Sequence, residues 1–219
     1  MSILKRKSKN KKEISKSQLL IVGSLLIIIG LGVIGGKYLY NYIHNKNEEQ
    51  LIETFYEEQE EIEEDTTNEE IPTEKEEVKE EKPTKKIDYF AVIKIPKIGL
   101  EKGLAPKGSY YNNVNRNISV LNESDMPDKE KGNVILAGHS GNGRTSYFRN
   151  LNKLQNDDEV SIFYNGSEYK YKVVNQYDID KTGTANIVRN AEKNTLTLIT
   201  CRHNTNKQIV YICELVEKV

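Results

Sequence analysis

The 219-residue chain has no tryptophan, three histidines, two cysteines, two methionines and five prolines. Two cysteines cannot staple a mini-protein, and neither Cys201 nor Cys213 belongs to a CxxC pair. A zinc centre needs three or four ligands in register. The two histidines and two cysteines of the C-terminal block form no CxxC or HxxxH pair, so neither metal nor other cofactor is expected. Nucleic acid is not expected as a partner. A surplus of one charge sign is also missing, since the formal net charge is −1, but that sum hides three unlike blocks. Residues 1–47 carry nine Lys/Arg against one Glu, residues 48–86 seventeen acids against five Lys, and residues 87–219 eighteen bases against fifteen acids. The last block is long enough for one domain with one core, which excludes a multidomain enzyme.

One long apolar run is present. Leu19 to Gly36 reads LLIVGSLLIIIGLGVIGG without a charge. As a helix it is about 27 Å long, close to the thickness of a bilayer's hydrocarbon core. Tyr38, Tyr40 and Tyr42 follow, where amphipathic rings favour the interface, and Lys5, Arg6, Lys7, Lys9, Lys11, Lys12 and Lys16 precede it. A cleaved secretory signal has a shorter apolar region and a small-x-small site, and a buried soluble helix would carry polar interruptions. The pattern predicts a basic cytoplasmic tail over 1–18 and a single-pass type II membrane anchor over 19–43. The chain beyond it is then extracytoplasmic. Residues 44–86 are dominated by Glu. Leu51, Ile52, Phe55, Tyr56 and Ile62 have some helical spacing that allows a partly helical juxtamembrane stalk, but the preferred reading is a solvated, self-repelling spacer.

From residue 87 onward no segment sustains helical periodicity for three turns. Residues 89–95, 117–121, 133–138, 159–164, 168–177, 195–200 and 208–216 read as strands, rich in β-branched and aromatic residues. Asn165-Gly166 between two of them signals a hairpin, and Ser146–Leu154 is the one modest helical candidate. The fold class is all-β, and a barrel is favoured over a sandwich because closure removes exposed edges.

Chemistry then rests on few residues. Cys201 closes a strand beside Arg202 and His203, the partly exposed, positive setting a reactive thiol requires, whereas Cys213 lies within an apolar strand and reads as packing. A Cys201–Cys213 disulfide is the minor alternative. His139 ends another strand between Gly138 and Ser140-Gly141, where glycine leaves the ring room and allows a substrate backbone to approach. Ser140 does not complete G-x-S-x-G, since Asn142 holds the last place. A strand-end Cys and a strand-end His are the minimal parts of thiol catalysis.

Thr197-Leu198-Ile199-Thr200-Cys201 resembles the TLxTC motif of sortases, the membrane-anchored cysteine transpeptidases of Gram-positive bacteria. Ile95-Pro96-Lys97-Ile98 resembles the family's I-P-x-I strand, Gly132 to His139 its G-N-x-x-I-A-G-H segment, and Phe148-Arg149-Asn150-Leu151 its F-x-x-L stretch. The order is right across residues 89–219. The resemblance implies an eight-stranded β-barrel over 87–219 with short helical connections. It implies that Cys201 attacks a Thr carbonyl in an LPXTG-like sorting signal of a surface protein, giving a thioacyl-enzyme. His139 would protonate the leaving amine and deprotonate the incoming one, supplied by a peptidoglycan cross-bridge or its lipid-linked precursor, or by a pilin lysine in polymerising members. Thr200 would line the oxyanion region.

Sortases usually carry an Arg at the start of the final strand. Here Lys207 or Gln208 takes that place, and Arg202 beside the nucleophile is the third candidate. With no further apolar helix after Val216 and no long lid before the barrel, the resemblance points to a class A/D-like member. Two rivals remain. An L,D-transpeptidase would place a His two residues before its Cys, where Ile199 stands. A catalytically inactive, membrane-anchored sortase-like binding module would account for the missing Arg.

Overall fold

The computed structural model describes residues 16–65 and 87–219. Most of the expected basic tail and the spacer between 66 and 86 lie outside the described residues. The chain divides into two compact units that meet between Asn47 and Glu48. The first is the N-terminal part of α1 (Lys16–Asp65), a helix long and apolar enough to cross a membrane. Every large apolar side chain from Leu20 to Ile43 is exposed on it, as in a span whose solvent is lipid.

The second unit begins with the rest of α1 and continues into eight strands: β1 (Ala91–Ile95), β2 (Leu100–Leu104), β3 (Ser119–Val120), β4 (Asn133–Ala137), β5 (Glu159–Tyr164), β6 (Ser167–Asp180), β7 (Thr195–Cys201) and β8 (Lys207–Lys218). They form one sheet in the order β2-β1-β5-β6-β8-β7-β4-β3, curled into a nearly closed barrel. Where β2 and β3 fail to pair, the buried Asn117 amide donates to the Gly103 carbonyl at 2.8 Å and bridges the seam. All pairings are antiparallel except β4 with β7.

Local chemistry accounts for the turns. Pro96 opens a one-turn 3-10 helix (Pro96–Ile98), and Gly99 in the left-handed region reverses the chain into β2. Asn165 and Gly166 both have positive φ and join β5 to β6 as a two-residue hairpin. Alternation along the strands sends Val134, Leu136, Leu196, Leu198, Tyr211 and Cys213 into the barrel with Phe148, Leu151 and Leu154. The opposite parity, Ile135, Ile199, Val210 and Ile212, forms a second apolar cluster on the outer face.

All seven strands read from the sequence are present. β2 was not among them, because Lys102 and Gly103 interrupt its apolar pattern although both are buried. The helical reading of Ser146–Leu154 shrinks to a 3-10 turn over Leu151–Lys153. Residues 48–65, read as solvated spacer, are helical, and Ile52 and Phe55 are buried against Tyr89 and Val92 of the barrel.

Candidate active site

The parallel pair of β4 and β7 builds the site. Parallel neighbours end at the same edge of a sheet. With Ala137 opposite Ile199, the residues that follow, Gly138-His139 and Thr200-Cys201, emerge side by side. The Gly138 N–H donates to the Ile199 carbonyl at 3.1 Å, and the Ser140 hydroxyl donates to the Cys201 carbonyl. His139 and Cys201 share the parity of Ala137 and Ile199, so both face outward. Each is half-buried.

Polar side chains lock this register. The Asn133 Oδ1 accepts from Thr195 Oγ1 at 3.0 Å and from Thr197 Oγ1 at 2.9 Å, all three residues buried. At the end that carries Cys201, Thr200 Oγ1 donates to the Gly138 carbonyl at 2.7 Å. The threonine side chain therefore ties the two strands together, and its hydroxyl points away from the Cys201 face. Gly138 also has a packing reason: a Cβ there would lie 2.8 Å from the Phe148 ring, whose backbone N–H holds the His139 carbonyl at 3.0 Å. That constraint, rather than room for a substrate, demands the glycine.

Asn115, in the loop between β2 and β3, was not singled out by sequence. Its Oδ1 lies 3.1 Å from His139 Nε2. An amide oxygen only accepts, so the tautomer that suits this contact carries its proton on Nε2 and keeps Nδ1 for exchange. Among the described residues the imidazole makes this bond rather than one to the Cys201 sulfur.

Cys201 and Cys213 are both free thiols, so the disulfide alternative is removed. Cys213 faces the barrel interior opposite Leu196, and burial pushes its thiol far up, which keeps it inert. His203 is exposed in the β7–β8 turn, and His44 lies on α1.

The three candidates for the missing Arg separate by face. Gln208 is the direct cross-strand partner of Cys201 and shares the outward parity of Val210 and Ile212. Lys207 is exposed on the other parity, and its carbonyl accepts from the Arg202 N–H at 2.9 Å. Arg202 Nε is paired with Asp178 of β6, whose strand partner Ile209 faces the barrel. Of the three, Gln208 stands on the thiol's face.

The chain between β6 and β7 walls this face. Tyr177 pins it, with its hydroxyl donating to the Asn186 carbonyl at 3.0 Å and accepting from the Val188 N–H at 2.8 Å. Ala185 and Ile187 then pack on the cluster of Ile135, Ile199, Val210 and Ile212. The connection thus buries the cluster beside the end of β7 that carries the thiol. Among the described residues no three Asp, Glu, His or Cys side chains gather as a metal site.

Comparison with known proteins agrees with this construction. A family model described as a sortase domain matches residues 93–216. Sortase D of Bacillus subtilis is 29% identical over 110 residues, covering 50% of this chain and 52% of that one. Sortase A of Staphylococcus aureus is 24% identical over 194 residues, covering 87% of this chain and 89% of its own. The chain therefore spans about half of the first relative and most of the second. Among solved structures, a Clostridium perfringens Sortase D5 transpeptidase superposes with a TM-score of 0.51 at 28% identity, over 59% of this chain and 80% of that one. With a domain match that covers more than half its length, a thiol and an imidazole at adjoining parallel strand ends and a nearly closed eight-stranded barrel, the chain belongs to the sortase family of cysteine transpeptidases.

Proposed function

We propose that the chain cleaves an LPXTG-like sorting signal on a surface protein and joins it to a cell-wall amine through a thioacyl intermediate. The observation that carries this reading is the β4–β7 register, which brings Cys201 and His139 out together on one face. The Cys201 thiolate adds to the carbonyl carbon of the Thr in the signal. As the tetrahedral adduct collapses, the C–N bond breaks and the leaving amine takes a proton from imidazolium His139. In the second half the incoming amine attacks the thioester, gives its proton to neutral His139, and Cys201 leaves as thiolate. The amine comes from a peptidoglycan cross-bridge or its lipid-linked precursor.

The outer cluster supports the substrate class. Leu and Pro upstream of the scissile bond match the half-buried apolar side chains of Ala185 and Ile187, which rest on the buried cluster. Gln208 is assigned the donor role at the substrate carbonyl, as a neutral amide in place of the usual guanidinium. The backbone beside Thr200 lines the same region, while Lys207 and Arg202 act at a distance. The anchor is assigned to residues 19–43 with the N-terminus in the cytoplasm, because basic residues crowd its N-terminal flank. The barrel over 87–219 then works outside the membrane. The class is A/D-like.

The test is intact-mass analysis of the detergent-solubilised chain incubated with quenched LPXTG-type peptides and hydroxylamine. The expected result is an acyl adduct that disappears in Cys201→Ala. Turnover in His139→Ala should fall about 10²–10⁴-fold. A wild-type chain with a free Cys201 thiol and no adduct from any peptide would establish the inactive binding module instead.

A further inference from the structure

Lys102 of β2 is an ammonium-bearing side chain with only 4% of its surface exposed. Burying such a group is unfavourable unless it is paired. Its ion-pair partner is Glu48 of α1, through Oε2. The other oxygen of Glu48, Oε1, accepts from the Tyr89 hydroxyl at 2.6 Å. The Tyr89 ring lies flat on β2 at Gly103, where a Cβ would come within 2.1 Å of it, so glycine is what lets the ring reach the helix.

Glu48 begins a docked stripe. Ile52 and Phe55 pack on Tyr89 and Val92, the Tyr56 hydroxyl donates to Glu101 at 3.0 Å, and the Gln59 side chain accepts from the Gly166 N–H. Positions 48, 52, 55, 56 and 59 recur at helical spacing, one face of α1. Glu49, Glu53, Glu57 and Glu58 point to solvent.

The opposite side of Lys102 leads to the active site. Its Nζ sits 4.7 Å from the centre of the Tyr147 ring. Tyr147 precedes Phe148, which holds the His139 carbonyl and packs under Gly138. One buried ammonium therefore meets both the juxtamembrane helix and the His139-bearing segment.

We propose that docking of α1 through Glu48 sets the position of His139, with Glu48 and Lys102 as positioning residues for acyl transfer that act through Tyr147 and Phe148. This rests on the reading of His139 as the acid–base group. When the helix leaves, Lys102 loses its carboxylate and must find water. Tyr147 then loses the cation it stacks on, and the segment from Gly138 to Asn150 loosens at the point that carries the imidazole. The helix that continues from the apolar span is in this sense a part of the catalytic fold, and Glu49, Glu53, Glu57 and Glu58 are its solvated face.

The experiment uses the full chain in lipid nanodiscs, with Glu48→Gln and with the double variant Glu48→Gln/Lys102→Met. Removing both charges leaves no unpaired buried ion, so the double variant keeps the fold. In Glu48→Gln, amide exchange across residues 138–150 should accelerate on the order of tenfold while β6–β8 stay protected. In both variants kcat for peptide transfer should fall about 10- to 100-fold with KM little changed. Exchange across 138–150 that stays at the wild-type rate, or that rises equally through β6–β8, overturns the inference. So does a double variant with wild-type kcat, which would mean that the two charges serve only each other. The exchange measurement needs no turnover. Absence of a wild-type adduct at Cys201 would strike the proposed activity, and exchange would still decide whether Glu48 holds the His139 segment.

Discussion

At the residue scale, the proposed proton transfer depends on which nitrogen of His139 carries the proton, and Asn115 is the group that contacts the ring there. The amide accepts at Nε2, so Nδ1 is the atom left to take a proton from an incoming amine. Asn115→Ala frees both tautomers and lets the ring turn. The expected outcome is a fall in kcat of about tenfold with KM little changed, a fraction of the whole acid–base contribution. Steady-state kinetics on the transfer reaction decide it, and a wild-type kcat would remove Asn115 from the mechanism. Nothing in the sequence marks this residue. It lies in an Asn-rich stretch that reads as loop, and its meeting with His139 depends on how the β2–β3 connection lies over the sheet end.

Among the elements, β4 and β7 carry the site, and their alignment is held by side chains as well as by the ladder. Asn133 takes hydroxyl protons from both Thr195 and Thr197 in a buried setting. Asn133→Ala would strand the buried Thr197 hydroxyl and leave that of Thr195 only the Gly132 carbonyl at 3.4 Å, for a loss of about 2–3 kcal/mol. Thr197→Val, which deletes one donor and leaves the amide its second, should cost about 1 kcal/mol. Urea titration separates the two, and equal midpoints for both variants would show that Asn133 does not organise the pair. These elements were legible in the sequence because apolar alternation, strand ends and the TLxTC and G-N-x-x-x-A-G-H segments coincide. β2 was not legible, since Lys102 and Gly103, on opposite faces of the strand, stand where apolar residues would be expected, chosen by contacts with α1 and Tyr89 rather than by apolar periodicity. The docked part of α1 was obscured by its many glutamates, which dominate composition while five positions at helical spacing do the packing. The walling of the thiol's face by the β6–β7 connection likewise depends on Tyr177, a partner distant in pattern though near in space.

For the whole molecule, the many tyrosines give stability a pH dependence of definite sign. Burial, aided by Glu48 beside it, pushes the Tyr89 phenol far up, and burial does the same to Tyr171 and Tyr56 and raises Tyr147 to about 12. A phenol raised in the folded state contributes stability that is complete below its unfolded value of about 10 and is lost as pH climbs through the folded value. Lys102 acts in the opposite sense. Its pKa is lowered by burial against the pull of Glu48, so the cost of keeping it charged eases as pH rises toward the ordinary lysine value, one group against six phenols once Tyr164 and Tyr211, also raised by burial, are included. On the acid side Asp125 is held low, first by its hydrogen bond to Lys129 and then by the Asn133 N–H, so its contribution is present above about pH 4 and lost as the carboxylate protonates below. Urea midpoints measured on the chain in micelles should therefore form a plateau between about pH 4 and pH 10 and decline on both sides. Tyr147→Phe keeps the ring over Lys102 while deleting one titrating hydroxyl, so its alkaline decline should be shallower than that of the wild type. A midpoint that stays flat above pH 10, or an identical decline in Tyr147→Phe, would mean that the buried phenols do not govern the alkaline limit of the fold.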